Sequence, residues 1–517
     1  MDRETQQSNR LKTVGLIVII TLAGKVLGLV RDMLLGHNFA TGMDSAAFQV
    51  ASRIPRTFFD AIFASAISAS FIPVFSQRLE QNGQEDALSL SRSFFTWVGL
   101  LTAAFSLLGM AFAGPIVGLL ADGFDPETAA LCARLLRVLF PTVFFTGLAF
   151  SMVGVLQSMG QFYIPAALSV ASNGVIILYY LFFCRKFGIW GLAWAFLLGW
   201  AVQAVMQIPW LHRHGFRYRP AFRHPGLRSV FLLMLPVMVS TWIQPVNQLI
   251  STRFATHLFE GAGASAMDYA NTLYTMIAGI LVLSITNVIF PEMSRLSTGE
   301  KKEELSNLLG ESLRGMLFLL LPITAGMMLL AGPMVRLLYE YNAWGPDSTA
   351  ITARALCFMS IGMVGYGVQN VLSRLFYAEQ DGRTPLISGG ISIAVNLVLC
   401  LLLMEKLDVA GLSLATAVSV TVAAAVLLIP TIRRYPGAMD KVFWLALGKM
   451  LLCTMIMALA VYGTAKLTPS NWSGTLTGRV LDLGVPTAAG VIVYFIAAFL
   501  FRLEELRAVT DKLLRRK

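Results

Sequence analysis

"AGPIVGLL" at Ala113–Leu120 returns as "AGPMVRLL" at Ala331–Leu338, 218 residues later. Neighbouring phrases repeat in step with it. "FIPVFS" ending at Ser76 matches "IFPEMS" ending at Ser294, again 218 residues on. "GLAWA" from Gly191 matches "GLSLA" from Gly411, and "IPWLHR" from Ile208 matches "IPTIRR" from Ile429, at offsets of 220 and 221. One such match would be chance. Four in the same order at a nearly constant offset mark a duplication.

Composition says what was duplicated. Of the 517 residues 56% are hydrophobic and 13% charged, with a mean hydropathy of +0.68. A soluble domain carries about 25% charged residues. Apolar runs of membrane-spanning length recur along the chain. The sequence therefore reads as an all-α polytopic membrane protein with about fourteen spans. They fall near 14–35, 47–75, 93–120, 130–156, 164–184, 189–211, 229–255, 266–290, 315–335, 354–377, 386–404, 411–430, 442–467 and 481–501. The first run is longer than a signal-peptide core and lacks a small-residue cleavage site.

The repeat holds six spans. An even number makes both copies enter the membrane in the same direction, a parallel repeat related by an axis along the membrane normal. The expected plan is an N-lobe at 1–211, a basic cytoplasmic linker at 212–228, a C-lobe at 229–430, two extra spans at 442–501 and a basic tail at 502–517. The lobes are expected to flank a central cavity. Lys and Arg in alternate loops number 24 against 7. Basic loops stay cytoplasmic, which puts both termini there. The net charge of +11 thus reads as topology and contact with anionic membrane lipids, not as a nucleic-acid surface. The linker "HRHGFRYRPAFRHPGLR", His212–Arg228, is the richest anchor, and it serves as either a hinge or a tether.

No metalloprotease, nucleotide-binding or dinucleotide-binding motif is present. The five cysteines lie far apart and read as small buried hydrophobes. No cofactor, no metal and no enzymatic activity are expected; binding and conformational change remain.

Charged residues inside spans are the functional candidates. In "GKVLGLVRDMLLG", Gly24–Gly36, Lys25 and Asp32 are seven residues apart on one helical face, and Arg31 lies beside Asp32. Arg53, Arg56 and Asp60 form one face of span two, and Arg253 lies near the end of span seven. The plain alternative is that Arg31 and Asp32 are interfacial and that Arg56 and Asp60 form a structural pair. It leaves Lys25 unexplained. A cationic face suits an anion.

The stretch Gly24–Gln77, with its V-R-D and R-I-P motifs, resembles the start of the MurJ/MviN family of lipid II flippases. Met267–Ser294, from Y-A-N to F-P, resembles that family's eighth span. The resemblance runs through length, span count and duplication. It implies the multidrug/oligosaccharidyl-lipid/polysaccharide exporter fold and a bacterial inner-membrane location. It also implies export of an undecaprenyl-diphosphate-linked peptidoglycan precursor by alternating access. Lys25 stands where the family usually has arginine, Arg31–Asp32 matches its Arg-Asp pair, and Arg253 matches a basic residue of part of the family. The chain departs from the common pattern at Asp44, at Phe59, Asp60 and Ala64, and at Asn271–Thr272. Lys25, Arg31, Arg53, Arg56 and Arg253 are expected to hold the diphosphate, because a guanidinium gives phosphate two parallel bonds. Asp32 would orient Arg31 or break its grip. Spans 13 and 14 are expected either to form a groove for the lipid tail or only to pad the bundle. A coupling ion is left open, and a monomer is expected. The rival functions are a flippase for another polyprenyl-diphosphate glycan, a drug/cation antiporter of the same fold and a scaffold for cell-wall enzymes. An antiporter would favour acidic cavity residues.

Overall fold

The computed structural model describes residues 3–297, 301–467 and 474–506, with the side chains of 3–14, 57–66, 68–69, 235–236, 239–241, 243–244 and 287 outside the description. The Asp60 and Ala64 side chains and residues 507–517 of the basic tail therefore lie outside the described residues. The described chain is mainly helical, with no strand among the described residues. Packing divides it into two compact units, 1–265 and 266–517.

Unit 1 begins with α1 (Arg3–Phe39) and α2 (Met43–Ala66), followed by a π-helical turn (Ile67–Phe71) and α3 (Ile72–Asn82). Next come α4 (Gln84–Ala111), α5 (Ala113–Leu120), α6 (Pro126–Leu139), α7 (Thr142–Ser158), α8 (Tyr163–Phe182), α9 (Cys184–Val205) and α10 (Ile208–Arg213). α11 (Leu227–Thr241) and α12 (Ile243–Ala255) complete it. α6 starts where the sequence asks for a start. The Asp125 side chain accepts from the Glu127 and Thr128 amides, both at 3.0 Å, and Pro126 fills the first helical position. The core gathers Phe71 stacked on Phe94 at 4.6 Å, with Phe75, Leu88, Val155 and Val230 buried around them.

Unit 2 comprises most of α13 (Ala262–Ser297), then α14 (Lys302–Leu329), α15 (Ala331–Tyr339), α16 (Pro346–Ser360) and α17 (Met363–Ala378). The 52-residue α18 (Arg383–Arg434), α19 (Lys441–Leu467) and α20 (Leu476–Leu500) follow.

The duplication seen in the letters is present in the backbone. α5 and α15 carry the repeated phrase, and the residues before them have nearly the same dihedrals: φ −95°, ψ 15° at Phe112 and φ −105°, ψ 14° at Leu330. α18 is a helical hairpin. The Ser388 hydroxyl donates to the Ala423 carbonyl at 2.8 Å and that of Ser392 to the Ser419 carbonyl at 3.1 Å. As one partner's number rises the other's falls, so the two arms run antiparallel. The bend is at Asp408, with φ 51° and ψ −133°. Unit 1 makes the matching bend at Gly188, with φ 53° and ψ −144°, between α8 and the body of α9.

Among the described residues, nine helices are long and apolar enough to cross a membrane, or ten when the bent pair α16–α17 counts as one span. The α18 hairpin is one of the nine. The charged candidates lie on α1, α2 and α12, outside these nine. The chain is a multi-pass membrane protein. Four cysteines are buried, Cys357 is half-buried, and all five are free thiols.

Candidate functional site

The charged stretch of α1 packs against α8 because α1 is notched there. Gly24 and Gly28 are one helical turn apart, a small-xxx-small spacing that lets helices approach closely. A Cβ on Gly24 would sit 3.0 Å from the Ser169 Cβ, and one on Gly28 3.6 Å from the Asn173 side-chain nitrogen. Asn173 fills the notch. Its Nδ2 donates to the Gly24 carbonyl at 3.1 Å, and its Oδ1 accepts from Arg31 Nη1 at 3.1 Å.

Arg31 is held from three sides. Its Nε and Nη2 both reach Asp32 Oδ1, at 2.9 and 2.8 Å. Its guanidinium lies 5.4 Å from the centre of the Phe196 ring, on α9. The side chains of Arg31 and Asp32 are only 15% and 19% exposed, so the pair is shielded but reachable. A guanidinium has five N–H donors. Three are used, which leaves one on each terminal nitrogen, the fork geometry that suits two phosphate oxygens.

The same Phe196 ring links Arg31 to α2, because Phe48 packs edge-on against it at 4.9 Å. Further along α2, Arg53 is half-buried and donates through Nη1 to the Thr252 hydroxyl of α12 at 2.8 Å, while Arg56 is exposed one turn on. Pro55 lies between them and has no amide to offer the Ala51 carbonyl. The basic face of α2 thus sits on a loosened turn. Lys25 is exposed on α1, next to buried Gly24.

Arg253 is engaged elsewhere. Its Nη2 is 2.5 Å from Asp122 Oδ2 and its Nε 3.2 Å from both carboxylate oxygens, while His257 Nε2 meets Oδ1 at 3.0 Å. Asp122 lies in the loop between α5 and α6. Hydrogen bonds from Arg253 first, and from His257 next, hold its carboxyl below the usual carboxylate range. The structure therefore brings Arg31 and Asp32 together, relates them to α2 through one aromatic ring, leaves Lys25 and Arg56 exposed, and commits Arg253 to a carboxylate 131 residues away.

Unit 2 holds a different feature. An apolar cavity of about 370 Å³ lies among α13, α14, α19 and α20, lined by Phe318, Pro322, Met457, Thr487, Val491 and Tyr494 among others. The Tyr494 hydroxyl donates to the Phe318 carbonyl at 2.7 Å, which ties α20 to α14 at its wall. α20 is also fastened to α15, by Arg336 Nη1 with Asp482 Oδ2 at 3.4 Å and by Arg479 with Glu340. Thr487 supplies the one hydroxyl on α20 that faces this cavity besides Tyr494.

Asn173, Phe196, Asp122 and the groove residues escape a reading of the sequence for charge. For Asn173 a signal exists: it is an amide in the middle of an apolar run, opposite a Gly-x-x-x-Gly notch. Asp122 has none, because it is an ordinary loop aspartate until its partner is known.

An internally duplicated helical membrane chain with a guarded arginine and an apolar groove has the make-up of a membrane carrier. Its fold matches a solved structure described as "Inward-facing conformation of a multidrug resistance MATE family transporter of the MOP superfamily", with a TM-score of 0.69, 16% identity, and coverage of 82% of this chain and 99% of that one. A structure described as "Lipid II flippase MurJ, inward closed conformation" matches with a TM-score of 0.81 at 24% identity, over 94% of this chain and 99% of that one. The model of the family described as "Lipid II flippase MurJ" matches residues 35–479, and the chain belongs to that family. Among its relatives are the "Probable lipid II flippase MurJ" of Rhizobium meliloti (strain 1021), 30% identical over 93% of this chain and 91% of that protein, and the "Lipid II flippase MurJ" of Burkholderia cenocepacia, 29% identical over 73% and 75%.

Proposed function

We propose that this protein is a lipid II flippase. It carries the undecaprenyl-diphosphate-linked peptidoglycan precursor from the inner to the outer leaflet of the bacterial inner membrane by alternating access, and performs no chemical step on it. The observation that carries the reading is the family match across residues 35–479. The two structural features suit the two ends of such a molecule. A diphosphate sugar is too polar to enter hydrocarbon without partners. The Arg31 fork offers it two donors, with Lys25, Arg53 and Arg56 on the same two helices and Arg253 as a further cation once Asp122 lets go. The polyprenyl tail needs only apolar surface, which the cavity bounded by α19 and α20 supplies. These helices lie outside the duplicated twelve, so a role specific to the lipid gives them a reason to exist. On this reading the two repeat halves, with lobe boundaries at 211 and 229, are the moving bodies, both termini are cytoplasmic, and the carrier works as a monomer.

The test is depletion of the protein in its host, followed by identification of the lipid-linked precursor that accumulates. Accumulation of lipid II, reversed by the wild-type chain, is the expected result. Accumulation of a different polyprenyl-diphosphate glycan, with lipid II unchanged, would transfer the activity to that substrate.

A further inference from the structure

The basic linker is a strap with two different faces. Between α10 and α11 it has no regular structure, yet it is bonded to one side of α4 over several turns. Gln84 Nε2 donates to the His214 carbonyl at 2.8 Å, Arg92 Nε to that of Arg217 at 3.1 Å, and Trp97 Nε1 to that of Phe222 at 3.0 Å. Ser93 donates to the Arg223 carbonyl at 3.3 Å, the Ala221 amide donates to the Thr96 hydroxyl at 3.2 Å, and His224 meets Asp86 at 3.2 Å. A chain fixed in this extended way alternates its side chains between two faces. Phe216, Tyr218, Pro220 and Phe222 line a cavity of about 680 Å³. The intervening Arg217, Arg219 and Arg223 do not line it and are exposed.

The cavity lies inside unit 1, distinct from the Arg31 site and from the groove at α20. Its remaining walls are Phe95, Gly99, Leu100 and Ala103 of α4 and Phe144, Leu148 and Met152 of α7, with polar atoms only near the strap, from Thr96, His212 and Tyr218. From Phe95 to Ala103 the helix descends about 12 Å. The volume is within the usual range for a ligand pocket, roughly 300–1,000 Å³. α4 and α7 belong to segments long and apolar enough to cross a membrane, and Leu100, which lines the cavity, and its neighbour Leu101 are exposed on the surface of α4. An occupant therefore comes from the membrane, apolar end first, with its polar end at the strap. No acidic residue occurs from His212 to Arg228. The two nearest carboxylates on α4 are already matched, Glu85 by Arg92 at 2.9 Å and Asp86 by His224 and by Arg78 at 3.6 Å. Among the described residues no carboxylate pairs with Arg217, Arg219, Arg223 or Arg228.

We infer that this cavity is a binding site for an anionic phospholipid, one acyl chain lying between α4 and α7 and the headgroup at the strap beside Thr96, His212 and Tyr218, with the positive charge of Arg217 and Arg219 on the strap's other face drawing the phosphate there. The inference rests on the chain spanning a membrane and not on which cargo it moves, so it stands or falls separately from the flippase reading.

The test uses the full-length purified protein in mild detergent, titrated with phosphatidylglycerol and with phosphatidylcholine of the same acyl chains, with retained lipid counted by native mass spectrometry. Wild type should retain one phosphatidylglycerol in clear preference to phosphatidylcholine. Arg217→Gln with Arg219→Gln should weaken phosphatidylglycerol about tenfold, in line with the contribution of basic residues at a lipid surface. Ala103→Phe should fill the cavity and abolish retention while the arginines remain. If Ala103→Phe lowers the melting temperature, Leu148→Phe fills the cavity from the opposite wall. Equal retention of the two lipids by wild type, or unchanged retention in the double arginine variant or in the folded cavity variant, would overturn the assignment.

Discussion

The bends at Gly188 and Asp408 have the same backbone and different side chains. Both have φ near +50° and a strongly negative ψ, a region that suits glycine and strains anything with a Cβ. The duplication preserved the turn in both units while the residue drifted in one. The same divergence, enlarged, separates the functional parts of the two units. Unit 1 has the guarded arginine on α1, and unit 2 has the apolar groove at α20. A repeated backbone is no guide to a repeated chemistry: the turn is repeated, and on the proposed reading recognition is divided between a polar end and an apolar end.

That division can be broken by experiment. The largest effect is expected from Arg31→Ala, which should lower transport on the order of 100-fold, the scale of truncating one partner of a buried hydrogen-bonded charge, with membrane insertion unchanged. Arg31→Lys should recover only part, since the fork is lost. Asn173→Ala should give about a fivefold loss from one missing hydrogen bond. Full complementation by the alanine variant at 31 would remove the polar end from the scheme. Next, Thr487→Trp should crowd the groove and slow transport of the full-length lipid about tenfold, as expected for displacing two or so methylenes. A short-chain analogue should be spared. A loss equal for both chain lengths would mean the groove does not read the tail.

Smaller effects test the symmetric plan. Asp408→Gly should relieve the left-handed bend and stabilise the protein by about 1 kcal/mol, seen as a raised melting temperature, whereas Gly188→Asp should lower it. No change in either would mean the bends are not equivalent in strain. The smallest effect concerns Asp122. Its carboxyl is held below the ordinary value near 3.9. The stability it contributes is therefore complete above that ordinary value and is lost as pH falls through the depressed one. Between pH 5 and 8 it should be flat. Asp122→Asn should remove the acid-side loss of melting temperature, a modest change because Arg253 is 44% exposed and screened by salt. An acid limb identical in wild type and variant would assign the loss to other carboxylates.

Much of the fold is legible in the letters. The repeated phrases land on α5 and α15, and the charged candidates land on α1, α2 and α12. Packing is less legible. The repeat pairs 229–255 with the chain's first span, yet α11 and α12 pack within unit 1, with Arg53 bonded to Thr252. Offsets in a sequence report descent, and descent does not say which surface an element buries. The site was half legible for the same reason. Arg31 and Asp32 are adjacent, so their pairing can be read directly. Asn173 and Asp122 are partners at separations of 142 and 131 residues, and no local pattern carries that distance.

The lodging of Arg31 bears on the empty half of a transport cycle. A carrier that has released its cargo must come back with nothing in the site, and a bare guanidinium would make that return leg the slow one. With Asp32 neutralising it, Asn173 taking one donor and Phe196 covering its face, the Arg31 guanidinium is not left as a bare charge in the proposed unloaded carrier. On the proposed reading Asp32 would serve turnover more than affinity: its loss would leave a protein that still captures its cargo, completes one crossing, and stalls on the way home.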